Sequence, residues 1–304
     1  MRIVGSSVSG EFMDAGPSIA VLMTSFNRCD KTLKAIASLS AQATNMPRRL
    51  QIFLVDDGSS DGTSSAVATQ FPEVQIICGT GSLYWNGGMR LAFDHALKIG
   101  FDAYLWLNDD TELFPNALDT LLRTDQLLNA EGTVAIVTGS TCDPVTGERT
   151  YGGFRRINRV FFYQLIYLEP LIDRPLCCDT MNGNFTLIPK RVADSVGNLE
   201  PGYQHHFGDA DYGYRAKNAG FSIYVAPGYL GSCSSNSIAG TWRDRSISVK
   251  RRWKDLMSVK GYRFSEWLLF CTRNYRYLGL IHFMVPYVKA SLPRKSNLIH
   301  QATE

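Results

Sequence analysis

A chain of 304 residues that is 45% hydrophobic and 19% charged can bury one large core, or one core with a small appendage. Its net charge of +3 is too weak to argue for nucleic acid as a partner. Seven scattered cysteines without a Cys-x-x-Cys pair argue against a disulfide framework or a zinc site, and point to a reducing compartment.

Residues Met1 to Phe12 lack the basic start and apolar core of a secretion signal. A disordered leader is expected over residues 1–18, with Met13 a candidate start. Ile19 to Met23 then reads as a short apolar strand, followed by Thr24-Ser25-Phe26-Asn27-Arg28 and a helix over Lys31 to Ala41, with Leu33, Ala35, Ile36 and Leu39 on one face. A second strand, Gln51 to Val55, ends in Asp56-Asp57-Gly58-Ser59. A helix from near Thr63, a strand at Val74 to Cys78 and a helix over Gly87 to Ile99 lead to the apolar run Ala103 to Leu107. That run ends in Asn108-Asp109-Asp110, and a further helix is predicted over Pro115 to Leu128. Strands alternating with helices at crossover spacing predict an α/β fold, a mostly parallel twisted sheet with helices on both faces. Open sheets of this kind bind ligands at the carboxyl ends of their strands. The loops Thr24 to Arg28, Asp56 to Asp61, Gly79 to Gly88 and Asn108 to Thr111 should therefore meet at one crevice.

After residue 132 the alternation breaks down. Val134 to Thr138 is a strand candidate, Thr150 to Asp173 is aromatic and irregular, and Thr180 to Pro189 carries the turn signal Gly183-Asn184. Gly208 to Gly220 reads as a helix, Ser222 to Ala226 as a strand and Pro227-Gly228 as a turn. Beyond Arg243 a helical extension interleaves basic residues, among them Arg245, Lys250, Arg251 and Lys254, with Trp253, Tyr262, Phe264 and Trp267. This mixture suits an anionic membrane surface or a phosphorylated acceptor, and a solvated helical face as well. No stretch approaches the ~20 apolar residues that span a bilayer; Trp267 to Val288 is broken by Arg273, Asn274 and Arg276. The last dozen residues are expected to fray.

Asp109 and Asp110 leave a buried strand side by side. Adjacent carboxylates repel unless a cation screens them, and a hard divalent ion with oxygen ligands would also neutralise a diphosphate. They could equally cap the following helix, where Asp is favoured.

Five motifs in order, from about Ile19 to Phe221, resemble the inverting glycosyltransferases of family two, which have the GT-A fold. They are Val21-Leu22-Met23-Thr24-Ser25-Phe26-Asn27-Arg28, Leu54-Val55-Asp56-Asp57-Gly58-Ser59-Ser60-Asp61-Gly62-Thr63, Trp85-Asn86-Gly87-Gly88-Met89-Arg90, Leu105-Trp106-Leu107-Asn108-Asp109-Asp110 and Gly208-Asp209-Ala210-Asp211-Tyr212-Gly213-Tyr214-Arg215. The resemblance implies a catalytic domain over 19–242, with a nucleotide-binding half (19–132) and an acceptor and catalytic-base half (133–242), before the extension 243–304. It places Asp57 on the imide N–H of a uracil or thymine ring, although Asp-Gly is also a common turn former. Thr24 and Asn27 would line the base and ribose and could equally cap the helix starting near Asp30, Arg28 would join them at the nucleotide sugar, and Trp85, Asn86 and Gly87 would lie beside it. Trp85 reads equally well as a core tryptophan. That glycine-rich segment lacks the Gly-Lys-Ser/Thr ending of a nucleoside triphosphatase loop.

By the same resemblance Asp110 ligates Mg²⁺ or Mn²⁺, with Asp109 facing the ribose or the ion. Asp209 becomes the general base and Asp211 its alternate; the bland reading of both is a helix start enriched in acids. Two positions depart from the family. Gly208 replaces the usual Glu, and Gly231 to Asn236 offers no metal-binding histidine, leaving water, phosphate oxygens or Asn236 to complete a shell. His205 and His206 read as structural. The expected activity is metal-dependent, inverting transfer of a sugar from a UDP- or dTDP-linked donor to a hydroxyl of a saccharide or lipid-linked acceptor. Rhamnosyltransferase-like members resemble it, and bacterial surface polysaccharide or lipopolysaccharide synthesis is the implied setting. The expected location is cytoplasmic, peripheral on the inner face of the plasma membrane. Alternatives are a nucleotide-sugar-binding protein without chemistry, and a sugar-phosphate nucleotidyltransferase, whose Arg-containing glycine loop Thr24 to Arg28 does not supply.

Overall fold

The computed structural model describes residues 16–43, 49–157, 165–275 and 278–293. Most of the expected leader and the last residues lie outside the described residues, and the first strand begins at Ser18, inside the span assigned to the leader. The first half alternates as expected: β1 (Ser18–Ser25), α1 (Cys29–Ala43), β2 (Arg49–Asp56), α2 (Thr63–Gln70), β3 (Gln75–Cys78), α3 (Tyr84–Ile99) and β4 (Ala103–Leu107). β1 pairs in parallel with β2 and β4, and β2 in parallel with β3. Both faces of this sheet are covered, so its central strands are continuous apolar runs rather than alternating ones. Side chains one apart go to opposite cores. Ile19, Val21, Met23 and Leu105 pack with α1, whereas Ala20, Leu22, Tyr104 and Trp106 pack with Met89, Phe93 and Ala96 of α3.

The second half is β5 (Glu112–Leu113), α4 (Ala117–Ala130), β6 (Ala135–Cys142), β7 (Arg149–Tyr151), β8 (Gly153–Arg156), β9 (Leu165–Tyr167), β10 (Leu176–Cys177), β11 (Thr180–Met181), β12 (Phe185–Pro189), α5 (Lys190–Val196), α6 (Gly208–Asn218) and β13 (Ser222–Ser232). The main sheet runs β10-β13-β6-β12-β4-β1-β2-β3, with β5 on β13 and β7 on β6. β12 runs antiparallel to both of its neighbours, β4 and β6. The stretch expected to be irregular holds β8 and β9, which form a small separate sheet with β11. Pro227-Gly228 is a bulge inside β13 and not the turn expected there, since pairing with β6 resumes beyond it at Tyr229.

Three helices close the described chain: α7 (Val249–Leu256), α8 (Phe264–Asn274) and α9 (Gly279–Ser291). They form a third core in which Trp267, Phe270, Tyr275, Phe283 and Tyr287 meet Tyr203, Tyr214 and Trp242. Much of the aromatic content of the extension is therefore interior. Buried Arg252 of α7 donates to the carbonyls of Lys289 and Leu292, capping the carboxyl end of α9. Leu280, Ile281, Met284 and Val288 of α9 remain exposed. Among the described residues no helix is long and apolar enough to cross a membrane.

Candidate active site

The loops leaving β1 and β2 are stitched together. Asn27, at φ 51°, donates its amide to Ser59 Oγ at 2.9 Å, and its Oδ1 accepts the amide of Ser60 at 2.7 Å. Asp61 accepts the amide of Cys29 at 2.9 Å and that of Thr63 at 3.1 Å, serving the starts of α1 and α2 together. Thr24 lies against α3 at Gly88, where an added Cβ would stand 2.0 Å from Thr24 Oγ1. Asp57 is buried and accepts three backbone amides, from Gly81 (2.8 Å), Leu83 (2.8 Å) and Tyr84 (3.0 Å). These bonds start α3 at Tyr84, three residues before the expected Gly87, and hold Tyr84 at φ 55°.

Trp85 donates its indole N–H to Asn108 Oδ1 at 2.7 Å and stands edge-on to Trp106. Gly183 lies beneath it, where a Cβ would come 2.6 Å from the Trp85 ring. Gly87 packs against Leu83. Asn86 is a correction to the sequence reading. It is fully buried and donates to the carbonyls of Glu200 (3.0 Å) and Tyr203 (2.7 Å), so it ties α3 to the loop before α6 and presents no surface to a ligand.

At the end of β4, Asp109 is buried and Asp110 is partly so. Arg28 Nη1 lies 3.1 Å from Asp109 Oδ1 and 2.8 Å from Asp110 Oδ2. Burial pushes the Asp109 carboxyl up to about 6; the Arg28 charge pulls it back and Asp110 raises it further. Neither acid caps α4, which begins at Ala117 behind Asn116, so the capping reading falls. From the segment Gly231 to Asn236, Cys233 reaches Asp110 Oδ1 at 3.5 Å, and Asn184 Nδ2 donates to the same sulfur at 3.7 Å. Nothing local in the sequence marks Cys233 for this place, because its partners Asp110 and Asn184 are distant in the chain. Among the described residues no group of three or more His, Cys, Asp or Glu side chains could hold a metal ion. Asp109 and Asp110 are the oxygen donors at the end of β4, a pair that fits Mg²⁺ or Mn²⁺ when further oxygens complete the shell.

Asp209 opens α6 behind Phe207, which sits at φ 74°. Its Oδ2 accepts the Gly183 amide at 3.2 Å and Asn182 Nδ2 at 3.3 Å, and its Oδ1 accepts the Ala210 amide at 2.8 Å. Burial raises its carboxyl above the ordinary range, against those three hydrogen bonds. Gly183 touches both Trp85 and Asp209, and Trp85 holds Asn108, next to the acid pair, so one short chain of contacts links the two acidic centres. Asp211 is a second correction. Two residues along a helix is a rotation of about 200°, which turns Asp211 to the opposite side. It is fully buried there, held by Arg215 (2.9 Å), Tyr203 (3.1 Å), Asn274 (3.2 Å) and Arg273 (3.4 Å). That carboxylate anchors α8 on α6 and cannot meet an acceptor.

His206 bonds the Lys260 carbonyl at 2.8 Å, and burial lowers His205 to about 3, keeping it neutral at ordinary pH. Gln204 bridges the glycine-rich loop and the extension, donating to the Ser82 carbonyl at 3.0 Å and accepting from Arg263 at 2.8 Å.

Comparison with known proteins bears on this arrangement. The family model described as glycosyltransferase-like family 2 matches residues 17–255. The chain is 24% identical over 255 residues to N-acetylglucosaminyl-diphospho-decaprenol L-rhamnosyltransferase from two strains of Mycobacterium tuberculosis, an alignment covering 76% of this chain and 80% of that protein. Among solved structures, a mannosyltransferase from Pyrobaculum calidifontis in complex with GDP-Man and Mn²⁺ superposes with a TM-score of 0.54 at 14% identity, over 90% of this chain and 73% of that one.

Proposed function

Since this chain belongs to glycosyltransferase-like family 2, and is a glycosyltransferase of GT-A fold on that ground, we propose that it moves one sugar from a nucleoside diphosphate donor to an acceptor hydroxyl with inversion. The observation that carries this reading is the chain of contacts joining the acid pair, through Asn108, Trp85 and Gly183, to Asp209. It supports a donor diphosphate beside Asp109, Asp110 and Arg28, with a base nearby.

In the proposed reaction the acceptor oxygen attacks the anomeric carbon, the bond from that carbon to the diphosphate breaks, and Asp209 takes the hydroxyl proton. Both oxygens of Asp209 are held by amide donors, which fixes its aim, and its raised pKa suits a base better than an ordinary carboxylate. Asp110, with Asp109, would hold Mg²⁺ or Mn²⁺, which as a Lewis acid supplies stabilisation of charge on the departing diphosphate. Asp57, Thr24, Asn27, Trp85 and Gly87 form the proposed nucleotide-sugar pocket. For Asp57 the support is indirect: three amides already engage it, so it shapes the loop and leaves little acceptor capacity for a uracil or thymine imide. UDP- and dTDP-sugars are the proposed donors.

A lipid-linked acceptor at the inner face of a bacterial membrane, in surface polysaccharide synthesis, is the setting we favour. The name of the mycobacterial relative and the exposed apolar face of α9 support it. The test is release of nucleoside diphosphate from a panel of donors, with and without Mn²⁺. Release from a UDP- or dTDP-sugar that depends on Mn²⁺ is expected. Donor binding without release from any donor would favour a binding protein without chemistry.

A further inference from the structure

Arg28 holds the place where the sequence reading expected a cation. One guanidinium nitrogen spans both carboxylates, at 3.1 Å from Asp109 and 2.8 Å from Asp110, while Cys233 covers the other oxygen of Asp110 at 3.5 Å. The backbone beneath Arg28 is fixed on both sides by the bonds of Asn27 to Ser59 and Ser60 and of Cys29 to Asp61, and its own carbonyl accepts the amide and the hydroxyl of Thr32 at 2.9 Å. The side chain above that fixed base is 42% exposed. It can therefore leave the acid pair without moving the loop.

We propose that Arg28 is a resident counter-ion of the acid pair that makes cation binding and donor binding interdependent. A divalent ion gains Asp109 and Asp110 only as the guanidinium withdraws, and the donor diphosphate is the anion that offers the guanidinium a new partner. This rests on the metal-dependent reading above. Coupling of two binding events is reciprocal, so the diphosphate must strengthen cation binding by the same factor as the cation strengthens diphosphate binding. Lysine keeps the charge but carries it on a compact, more strongly hydrated ammonium, so it should replace Arg28 only in part.

The experiment titrates the full chain with Mn²⁺, following the electron paramagnetic resonance of the free ion, without nucleotide and with UDP or dTDP present. Wild type is compared with Arg28→Ala and Arg28→Lys, and Asp110→Asn serves as the site control. Without nucleotide, Arg28→Ala should bind Mn²⁺ about tenfold more tightly than wild type, the order expected for losing a charge-assisted competitor. The strengthening of Mn²⁺ binding by nucleotide should shrink by a similar factor, with Arg28→Lys intermediate. Thermal melting with and without Mn²⁺ guards against misfolding, since the alanine variant should gain more from the ion than wild type. Equal or weaker Mn²⁺ binding by Arg28→Ala, while wild type binds the ion with nucleotide, overturns this proposal alone. No Mn²⁺ binding by wild type with either nucleotide overturns the metal-dependent reading and this proposal together.

Discussion

A Cβ on residue 208 would stand 1.7 Å from Asn86 Oδ1, so glycine at the start of α6 and the buried asparagine of α3 fit each other and little else. The contact seats the amino end of α6, with Asp209 one residue on, directly against α3, the helix that the glycine-rich loop opens. A larger side chain at this position would not fit the same packing.

Gly208→Ala should destabilise the fold by about 1–3 kcal/mol, the usual cost of forcing a methyl into a packed interior. In an Asn86→Ala background, where the obstructing side chain is gone, the same change should cost clearly less. Urea unfolding of the two single variants and the double variant measures the coupling, and simple additivity would count against the contact.

Replacing Asp209 by Asn keeps its shape and removes the base. Turnover should fall by about 10²–10⁴-fold while donor affinity, read by calorimetry, stays near wild type. Survival of full turnover would put the base elsewhere.

The pH dependence follows from the raised carboxyl of Asp209. A base must be ionised, so kcat should rise with pH through a value above the ordinary carboxylate range, and this limb should vanish in the residual activity of Asp209→Asn. Stability runs the other way. A folded pKa above the unfolded one gives a contribution present below the unfolded pKa and lost as pH rises through the folded one. Asp209→Asn should therefore flatten part of the stability loss on that side, measured by melting temperature against pH.

Asp211 should behave as an anchor. Asp211→Ala leaves Arg215, and the partly exposed Arg273, without a buried partner, and a loss of ~3–5 kcal/mol is the scale for breaking such a pair. Protease cleavage within α8 should accelerate, since Arg273 and Asn274 of that helix lose their hold. Arg273→Ala should produce the same cleavage pattern more weakly, and unchanged proteolysis in both would refute the anchor.

The exposed face of α9 predicts surface binding. Ile281→Glu with Met284→Glu should lower sedimentation of the full chain with anionic vesicles by about tenfold or more, because two inserted apolar side chains are lost. Binding should also weaken with salt if Lys250, Arg251 and Lys254 contribute. Equal partitioning of variant and wild type would remove α9 from any membrane contact.

The amino-acid sequence by itself determined the alternation of β1 to β4 with their helices, the loops at the strand ends and the ordered motifs, because each rests on short-range periodicity and turn chemistry. It also placed Asp109 and Asp110 at the end of a buried strand. Tertiary structure alone decided that β12 slips antiparallel between β4 and β6, that Asn86 faces inward, that Arg28 spans the acid pair and that Cys233 arrives beside Asp110. Those are contacts between residues far apart in the chain, which no local pattern encodes. The separation of Asp209 from Asp211 lies between the two cases. Helical geometry sends them to opposite faces, but only packing against α8 on one side and Gly183 on the other decides which of them is linked to the acid pair.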